Sequence, residues 1–301
     1  MNLIKALFII SIITSFTSCK ENTPKKVTVE PSKNITQKVD DAVQQLEVEI
    51  SDYKKVVSLD HHRMAAEVGV YTPPSIATIF SDAKIGINLV QENQLIALDL
   101  PFKVLCYAEP DTLNVKVAYT SAEFIQKRHN LDPALLKDYN ATMTKVIASF
   151  PKEMIVKTDL TNVNEGFGTV SIKSDFDFTT TVENLRTIVM SQGDTKWFAD
   201  VDYQKDASAM EVTIRPTTLL LFGGPAPGGK AMMTSPKIGL DAFCQKLLVY
   251  ENENGEVWLA YNDIVVFANL YYQTSTKPQN MINQRLKMTF TKAVTTLEEE
   301  E

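Results

Sequence analysis

The chain has 301 residues, of which 44% are hydrophobic, and carries a formal net charge of −7 at pH 7. This is the composition of a globular protein, and its acidity excludes both a nucleic-acid partner, which requires a basic face, and adhesion to anionic lipids by charge alone. The three histidines and three cysteines have no spacing typical of a zinc site, so we expect neither a metal nor a cofactor.

The N-terminus has the pattern of an export signal. Lys5 is the only charged residue among the first eighteen, and it precedes an apolar run of eleven residues, 6–16. Such a run is shorter than the roughly 20 residues that cross a bilayer as a helix, and it is typical of a secretory signal peptide. The segment Phe16-Thr17-Ser18-Cys19 resembles a lipobox, in which the cysteine receives a lipid and the chain is cut before it.

This pattern predicts where the protein resides. We expect a lipid on Cys19 to anchor the protein to the cell envelope membrane, with the folded body in the periplasm or at the cell surface. The alternative is an ordinary secretory signal with a chance cysteine. The chain that follows Cys19 is polar and contains proline, which is typical of a flexible tether.

The first half of the remaining chain predicts a strand followed by a helix. Alternating residues predict a strand over 27–30, and the helical spacing of apolar residues between Val39 and Ile50 predicts the first helix. Asp132-Pro133 has the residues of a helix start, so the last helix of this half is expected to begin there. Its apolar residues are Leu135, Tyr139, Met143 and Val146.

The second half predicts a fuller set of elements. Five alternating or apolar segments predict strands, namely 168–173, 196–203, 217–222, 246–251 and 257–261. A helix is expected over 179–191, a hairpin turn at 252–255 and a closing helix from about Pro278. The order β-α-β-β-β-β-α predicts an α+β fold, an antiparallel sheet with helices packed on one face.

The two halves repeat one another. Shifting the sequence by 142 residues aligns positions 60–119 with 202–261 without a gap and gives fourteen identities. Among them are Asp99 with Asp241, Glu109 with Glu251, and Tyr119 with Tyr261. The repeat indicates two tandem copies of one domain, each long enough for its own core. We predict these segments: signal peptide 1–18, tether 19–25, copy 1 26–149, linker 150–166, copy 2 167–295 and acidic tail 296–301.

Several motifs resemble those of a domain of unknown function, DUF302. They are segment 172–207 (IKSDFDFTTTVENLRTIVMSQGDTKWFADVDYQKDA), Phe222-Gly223-Gly224-Pro225, Leu59-Asp60-His61 and segment 97–104 (ALDLPFKV). The resemblance covers nearly all of residues 25–295. It implies two β-α-β(4)-α domains of the TBP-like type, and it implies that single-domain members form dimers. The tandem copies are therefore expected to pack as an intramolecular pseudo-twofold pair in a monomeric protein. The resemblance implies no established activity.

The two copies depart from this pattern at different places. Copy 1 keeps Asp60-His61 and the LDLPFK motif, but it has Ser81-Asp82 in place of the glycine pair. Copy 2 keeps the glycines, but it has Asp202-Tyr203 in place of Asp-His, and its segment 240–245 reads LDAFCQ. These departures suggest one composite ligand site, with His61, Asp99 and Lys103 from copy 1 and Gly223, Gly224 and Gly228 from copy 2. The alternative is that both copies have drifted and bind nothing.

No catalytic constellation is evident in the sequence. The run 224–230 (GPAPGGK) lacks the Ser or Thr that a phosphate loop requires next, and we interpret it as a structural Gly/Pro turn. Adjacent His61 and His62 would point to opposite faces of a strand and would not chelate one metal. Cys106 and Cys244 lie in apolar runs and are expected to be buried thiols. We therefore expect a module that binds a small ligand or an envelope protein; the alternative is an enzyme or a redox or metal accessory protein with a composite site.

Overall fold

The computed structural model describes residues 34–110 and 114–296. The predicted signal peptide, Cys19, the tether and the predicted strand 27–30 lie outside these residues, as does the acidic tail from residue 297 onward.

Copy 1 forms a four-stranded antiparallel sheet in the order β1-β2-β3-β4. Its helices and strands, in chain order, are α1 Ile35–Glu49, β1 Lys54–Asp60, α2 His61–Ala66, β2 Ser75–Ser81, α3 Ala83–Glu92, β3 Phe102–Ala108, β4 Val115–Tyr119, α4 Ala122–His129 and α5 Lys137–Ile147. Single 3-10 turns cover Gln94–Leu98 and Pro133–Leu136. Helix α1 packs across β2, β3 and β4, as its buried Val39 and Leu46 require.

Copy 2 forms a five-stranded antiparallel sheet in the order β5-β9-β8-β7-β6. Its elements are β5 Thr169–Lys173, α6 Phe178–Met190, β6 Lys196–Asp202, α7 Tyr203–Ser208, β7 Thr217–Gly223, α8 Pro225–Met232, a 3-10 turn Pro236–Leu240, β8 Gln245–Glu251, β9 Val257–Asn262, α9 Ile264–Tyr272 and α10 Lys277–Val294. The α+β class and the two antiparallel sheets predicted from the sequence are confirmed.

The two copies match in local detail. Asp60 caps α2 by accepting from the backbone N–H of Arg63, and Asp202 caps α7 by accepting from that of Lys205. Strand β1 has a bulge between Lys55 and Val57, and β6 has one at the equivalent place. Because an aspartate at an N-cap satisfies a backbone donor that the helix leaves free, these two short helices begin at the same point of each repeat.

Three sequence interpretations are wrong. The segment interpreted as a Gly/Pro turn is largely helix α8, which begins with Pro225 because proline is favoured in the first turn. His61 and His62 lie in the first turn of α2 rather than on a strand, since the Asp60 cap ends β1. Leu135 is 42% exposed and is not part of the apolar side of the last helix, because it lies in the 3-10 turn before α5.

The gapless alignment of the repeats is also wrong over one segment. Ile79 of β2 pairs with Lys103, and the equivalent Leu221 of β7 pairs with Lys246. Lys246, rather than Gln245, is therefore the counterpart of Lys103, since copy 2 has one extra residue between Asp241 and this lysine. The alignment returns to its original register in β4 and β9, because the following hairpin is one residue shorter. Both copies thus keep the Asp and Lys of the motif, and the loss of this lysine from copy 2 was only apparent.

The two copies contact each other reciprocally. Helix α2 packs on α8, and its counterpart α7 packs on α3. The 3-10 turn Gln94–Leu98 packs on β8, and its counterpart Pro236–Leu240 packs on β3. Each contact thus has a partner related by exchange of the copies, which is the arrangement of a pseudo-twofold dimer within one chain.

The linker contributes to copy 1. Val117 of β4 donates its backbone N–H to the carbonyl of Met154 at 2.8 Å, and Val156 donates to the carbonyl of Val117 at 2.9 Å. In copy 2 the corresponding strand edge pairs with β5. Residues 154–156 therefore cover part of an edge that would otherwise leave backbone groups unpaired.

Candidate functional site

A buried ionic cluster lies where the copies meet. The ammonium of Lys103 lies 2.7 Å from Oδ1 of Asp241 and 3.8 Å from Oδ1 of Asp99, and all three side chains are at most 2% exposed. A lysine of copy 1 therefore joins the carboxylates of both copies. The two aspartates that the repeat aligns, Asp99 and Asp241, are the centre of this cluster.

Asp99 is enclosed on all sides. Arg128 donates from Nη1 to Asp99 Oδ1 at 2.8 Å, and Nε2 of His129 lies 2.7 Å from Asp99 Oδ2. Arg128 also donates from Nη2 to Thr169 Oγ1 and to Asn262 Oδ1 of copy 2, at 2.9 and 2.6 Å. Burial raises the pKa of Asp99, but Arg128, the His129 hydrogen bond and Lys103 outweigh it and hold the pKa well below its ordinary value.

Asp241 has a different set of partners. Its Oδ1 accepts from Lys103 and, at 3.5 Å, from the hydroxyl of Thr120, while Tyr271 donates its hydroxyl to Oδ2. Burial raises the pKa of Asp241, but Lys103 and Lys246 outweigh it, so the pKa lies below its ordinary value. Burial and the neighbouring Asp241 raise the pKa of Tyr271 well above its ordinary value. An ionised carboxylate therefore lies beside a neutral phenol.

Lys246 is the unusual member of this region. It is 2% exposed, and its ammonium donates only to the backbone carbonyls of Leu240, Asp241 and Cys244, at 3.3 to 3.5 Å. Within the described residues no ion pair joins it to a carboxylate. Burial and the neighbouring charge of Lys103 lower its pKa to about 8, because the two aspartates are already balanced by Lys103 and Arg128.

A cavity of ≈ 270 Å³ lies beside Asp241 and Tyr271. Copy 1 lines it with residues 119–124 and Asn140, and the linker lines it with Val156, Lys157, Thr158 and Leu160. Lys237 lies at its edge, where its ammonium donates to Thr158 Oγ1 at 3.1 Å and lies 4.3 Å from the centre of the Tyr271 ring. Both copies and the linker thus form the walls of this cavity, which we call the Asp241 cavity.

The equivalent place beside Asp99 is occupied by the protein itself. The guanidinium of Arg128 fills it, and the chain that enters β5 closes over it. Gly166 donates its N–H to the carbonyl of Arg128, and Asp263 donates to the carbonyl of Gly168, both at 2.8 Å. The pseudo-twofold pair is therefore open beside one aspartate and filled beside the other.

A second, smaller pocket lies between His61 and the glycines where β7 ends and α8 begins, Gly223, Gly224 and Gly228, which we call the glycine loop. His61 of copy 1 lines it together with Gly223, Gly224 and Gly228 of copy 2, and its volume is ≈ 20 Å³. His61 is 8% exposed, and among the described residues its Nε2 has no hydrogen-bond partner. Burial lowers the pKa of His61 to about 4, with a further lowering by Lys246 and an opposing effect of Asp60. We call this the His61 pocket.

The His61 pocket has a counterpart of the same volume, ≈ 20 Å³, on the other side of the pseudo-twofold axis. This Tyr203 pocket is formed by Tyr203 of copy 2 with Ser81, Asp82 and Gly86 of copy 1. The hydroxyl of Tyr203 is buried and, among the described residues, has no hydrogen-bond partner. Each copy thus presents one buried polar side chain to the loop of the other.

The six residues of the composite ligand site occupy two places. The structure brings His61 together with Gly223, Gly224 and Gly228, whereas Asp99 and Lys103 lie in the ionic cluster and do not line the His61 pocket. Sequence reasoning missed Arg128 and Tyr271. Tyr271 aligns with His129 in the 142-residue shift, so the repeat could have indicated that the two residues occupy equivalent positions. Nothing in the repeat indicates a role for Arg128.

The family model for "Domain of unknown function DUF302" matches residues 31–150 and again residues 170–297. This chain belongs to the DUF302 family. It carries the DUF302 domain twice, as the sequence motifs predicted. The family is defined without a function, so the activity has to be argued from the site.

The chain is also similar to proteins named "Fluoride-specific ion channel FluC 1". That of Brucella suis biovar 1 (strain 1330) is 32% identical over 96 residues, which cover 32% of this chain and 37% of that protein. That of Brucella abortus biovar 1 (strain 9-941) is 32% identical over 96 residues and is covered to 35%. The chain thus spans about a third of the length of these curated relatives.

The chain is also similar to one solved structure, that of an uncharacterized conserved DUF302 protein from Bacillus stearothermophilus. It is 13% identical, with a TM-score of 0.35, over 42% of this chain and 95% of that one. Within residues 34–110 and 114–296, no helix is long and apolar enough to cross a membrane, and no group of three or more His, Cys, Asp or Glu residues could hold a metal ion.

Proposed function

We propose that this DUF302 protein is a lipid-anchored envelope protein that binds a small polar ligand in the Asp241 cavity. The observation that supports this proposal is the asymmetry of the pair. The site beside Asp99 is filled by Arg128, whereas the equivalent site beside Asp241 is a cavity of ≈ 270 Å³. A repeat that closes one of two equivalent sites and leaves the other open is the arrangement expected of one retained ligand site.

The lining of the cavity suggests the chemistry of the ligand. Asp241 is held ionised, and Tyr271 presents a hydroxyl that stays neutral. The opposite wall carries Lys157, Thr158 and the amide of Asn140, so it offers donors and acceptors as well as one cation. A ligand that carries both a hydrogen-bond donor for the carboxylate and an anionic or carbonyl group for Lys157 fits these walls.

The volume supports a small ligand. Pockets for drug-sized molecules measure roughly 300–1,000 Å³, and ≈ 270 Å³ lies just below that range. An amino acid or a small hydroxy acid is of the appropriate size and carries both kinds of group. A peptide side chain of a partner protein is the second candidate, since the cavity lies beside the exposed Asn140 and Lys157.

A thermal-shift screen tests this proposal. The panel contains amino acids, small hydroxy acids and polyols, with fluoride added because the curated relatives are named for it. A ligand at 100 times its Kd adds about 2.7 kcal/mol of stability, which raises the Tm by several degrees. We expect at least one compound of the first two classes to give such a shift.

Two matched variants locate the binding. Ala122 is half-buried at the start of α4 and lines the cavity, so Ala122→Trp fills it. Ala209 is exposed at the end of α7, so Ala209→Trp adds the same bulk elsewhere. We expect the ligand shift to disappear only in Ala122→Trp. A shift that survives in Ala122→Trp would place the ligand outside the Asp241 cavity.

The anchor is a separate part of the proposal. The signal-like N-terminus and Cys19 support it. The full chain is expected to fractionate with membranes and to carry lipid on Cys19, and Cys19→Ala is expected to release it or leave it uncleaved. Membrane attachment that persists in Cys19→Ala would contradict the anchor and leave the ligand proposal untouched.

A further inference from the structure

The His61 pocket contains a buried nitrogen that the ligand proposal does not use. His61 Nε2 has no hydrogen-bond partner among the described residues, although a buried polar atom left unpaired costs about 1–3 kcal/mol. The side chain is 8% exposed, burial disfavours the charged form of an imidazole, and a neutral imidazole has one ring nitrogen with a free lone pair. The pocket thus contains a ligating atom that no group of the described residues engages.

The size of the pocket restricts what the occupant can be. A volume of ≈ 20 Å³ slightly exceeds the roughly 10–15 Å³ that one water molecule needs. An organic molecule does not fit. The occupant is therefore a single water molecule or a single ion.

Two sulfur-bearing side chains, Met64 and Cys244, line the same pocket as His61. A third, Met232 of α8, lies near the imidazole beside Gly239. A Cβ added at Gly239 would lie 2.8 Å from Cε of Met232 and 3.3 Å from Nε2 of His61. The absence of a side chain at Gly239 thus lets the terminal methyl group of Met232 and the imidazole of His61 approach the same space.

The Tyr203 pocket has none of these ligands. Its residues at the positions of His61, Met64 and Cys244 are Tyr203, Asp206 and Pro101. Divergence of the two copies has therefore placed one imidazole, one thiol and one thioether in the lining of only one of two equivalent pockets, with the thioether of Met232 near its imidazole. General core packing would not favour one side in this way, since both pockets have the same volume.

We propose that the His61 pocket binds one soft monovalent metal ion, Cu(I), through His61 and Cys244 with Met64 and Met232 as thioether ligands. Thiolate and thioether ligands favour Cu(I), whereas harder ions favour carboxylates and water. On binding, the S–H bond of Cys244 breaks, its proton passes to solvent, and a Cu–S bond forms. Nε2 of His61 donates a lone pair, and no electron is transferred.

The surrounding charge favours a monovalent ion. The buried ammonium of Lys246 lies 3.5 Å from the carbonyl oxygen of Cys244, so an added positive charge in the pocket would be repelled. Exchange of a proton for Cu(I) leaves the net charge of the pocket unchanged. A divalent ion would add one positive charge beside a buried ammonium, and Zn(II) is therefore expected to bind more weakly.

The test uses the full chain with Cys19→Ser in every sample, so that binding to that thiol is not counted. Cu(I), kept reduced under anaerobic conditions, is titrated against a chromogenic chelator, and Ag(I) serves as a probe that does not change oxidation state. We expect one ion per chain, and at least tenfold weaker binding in His61→Ala and in Cys244→Ser. Cys106→Ser is the matched control, because Cys106 is an equally buried free thiol outside the pocket.

Three results would overturn the proposal. They are the absence of one tightly bound ion in the parent chain, an equal loss of affinity in Cys106→Ser, and tighter binding of Zn(II) than of Cu(I). Should Cys244→Ser fail to fold, Met64→Leu and Met232→Leu replace it, since both keep the volume of the side chain. The affinity for Cu(I) would then have to fall in at least one of these two variants, and an unchanged affinity in both would contradict the site.

Discussion

The two aspartates of this tandem protein occupy equivalent positions and have opposite surroundings. Asp99 is paired with Arg128 and His129 and is covered by the chain that leads into β5. Asp241 is paired with a lysine from the other copy and with Tyr271, and it borders a cavity. In a dimer of identical chains both sites would have to be alike. Duplication within one chain removes that constraint, so one site can be closed for stability while the other stays open.

The equivalent lysines differ in the same way. Lys103 pairs directly with Asp241, whereas Lys246 donates to backbone carbonyls and, among the described residues, has no ion pair with a carboxylate. Arg128 explains the difference, because it has taken the carboxylate that Lys246 would pair with by symmetry. One lysine is therefore required for charge balance, and the other is an excess buried cation.

The largest expected effect follows from this contrast. Lys103→Met leaves Asp241 buried without its direct cation and is expected to lower the free energy of unfolding by about 3–5 kcal/mol. Lys246→Met removes a charge that has no carboxylate partner in the described part of the chain and whose pKa burial lowers, so at pH 7 it is expected to leave the free energy of unfolding unchanged or to raise it. Urea denaturation of both variants measures the difference. Equal losses would show that the two lysines are not distinguished by their partners.

The helix contacts between the copies give the next effect. A Cβ at Gly229 would lie 2.6 Å from Cβ of Ala65, so Gly229→Ala is expected to separate α2 from α8 and to destabilise the protein by about 1–3 kcal/mol. A Cβ at Gly86 on the opposite side meets only the Tyr203 ring, at 3.6 Å, and Gly86→Ala is expected to be tolerated or stabilising. Thermal unfolding of the two variants checks this difference. A larger loss in Gly86→Ala would reverse the assignment of the tight contact.

Repeats and periodicity predicted most of the fold. The strands of copy 2 and the last helices could be predicted from local patterns. In each of them the apolar residues recur at the spacing at which that element buries one face. Helix α8 could not be predicted in this way, since its composition of proline and glycine is typical of a turn, whereas the helix packs on α2 and α10, which lie far from it in sequence. The counterpart of Lys103 was misplaced for a different reason. A one-residue insertion and a compensating deletion lie too close together for a gapless comparison to detect.

The candidate site was predicted only in part. The glycine loop and His61 were paired from complementary sequence losses, and they line one pocket. Arg128 carried no sequence signal, because a buried arginine looks like any charged residue of an amphipathic helix until its partners are known. The Asp241 cavity exists because residues 156–160 of the linker and the neighbouring residues of copy 1 do not pack fully against Asp241 and Tyr271. Sequence patterns predict which residues are buried but not where their packing leaves a cavity.

The excess cation also predicts a pH dependence. The pKa of Lys246 is about 8 in the folded protein, compared with an ordinary value of 10.5. Between these values the unfolded chain binds more protons, so stability is expected to rise with pH, by up to about 1.4 kcal/mol per pH unit. Below pH 8 both states hold the proton and this dependence vanishes. Stability measured from pH 7 to 10.5 in the parent and in Lys246→Met isolates it, because Lys237, whose pKa is also lowered to about 8, is common to both. Parallel curves would contradict the lowered pKa.

The smallest expected effect concerns the two equivalent pockets. The buried hydroxyl of Tyr203 has no partner within the described residues, so Tyr203→Phe is expected to leave stability unchanged or to raise it by up to about 1 kcal/mol. Without added metal His61→Phe is expected to behave alike, because Nε2 of His61 is equally unpaired. With Ag(I) present the two are expected to diverge: Tyr203→Phe keeps the rise in Tm that the parent chain shows, and His61→Phe loses it. A loss of more than 1 kcal/mol in metal-free Tyr203→Phe would mean that an ordered water already pairs with the hydroxyl. The Tyr203 pocket would then be a hydrated pocket and the His61 pocket a metal-binding one. The stability of His61→Phe would be the value against which that of Tyr203→Phe is compared.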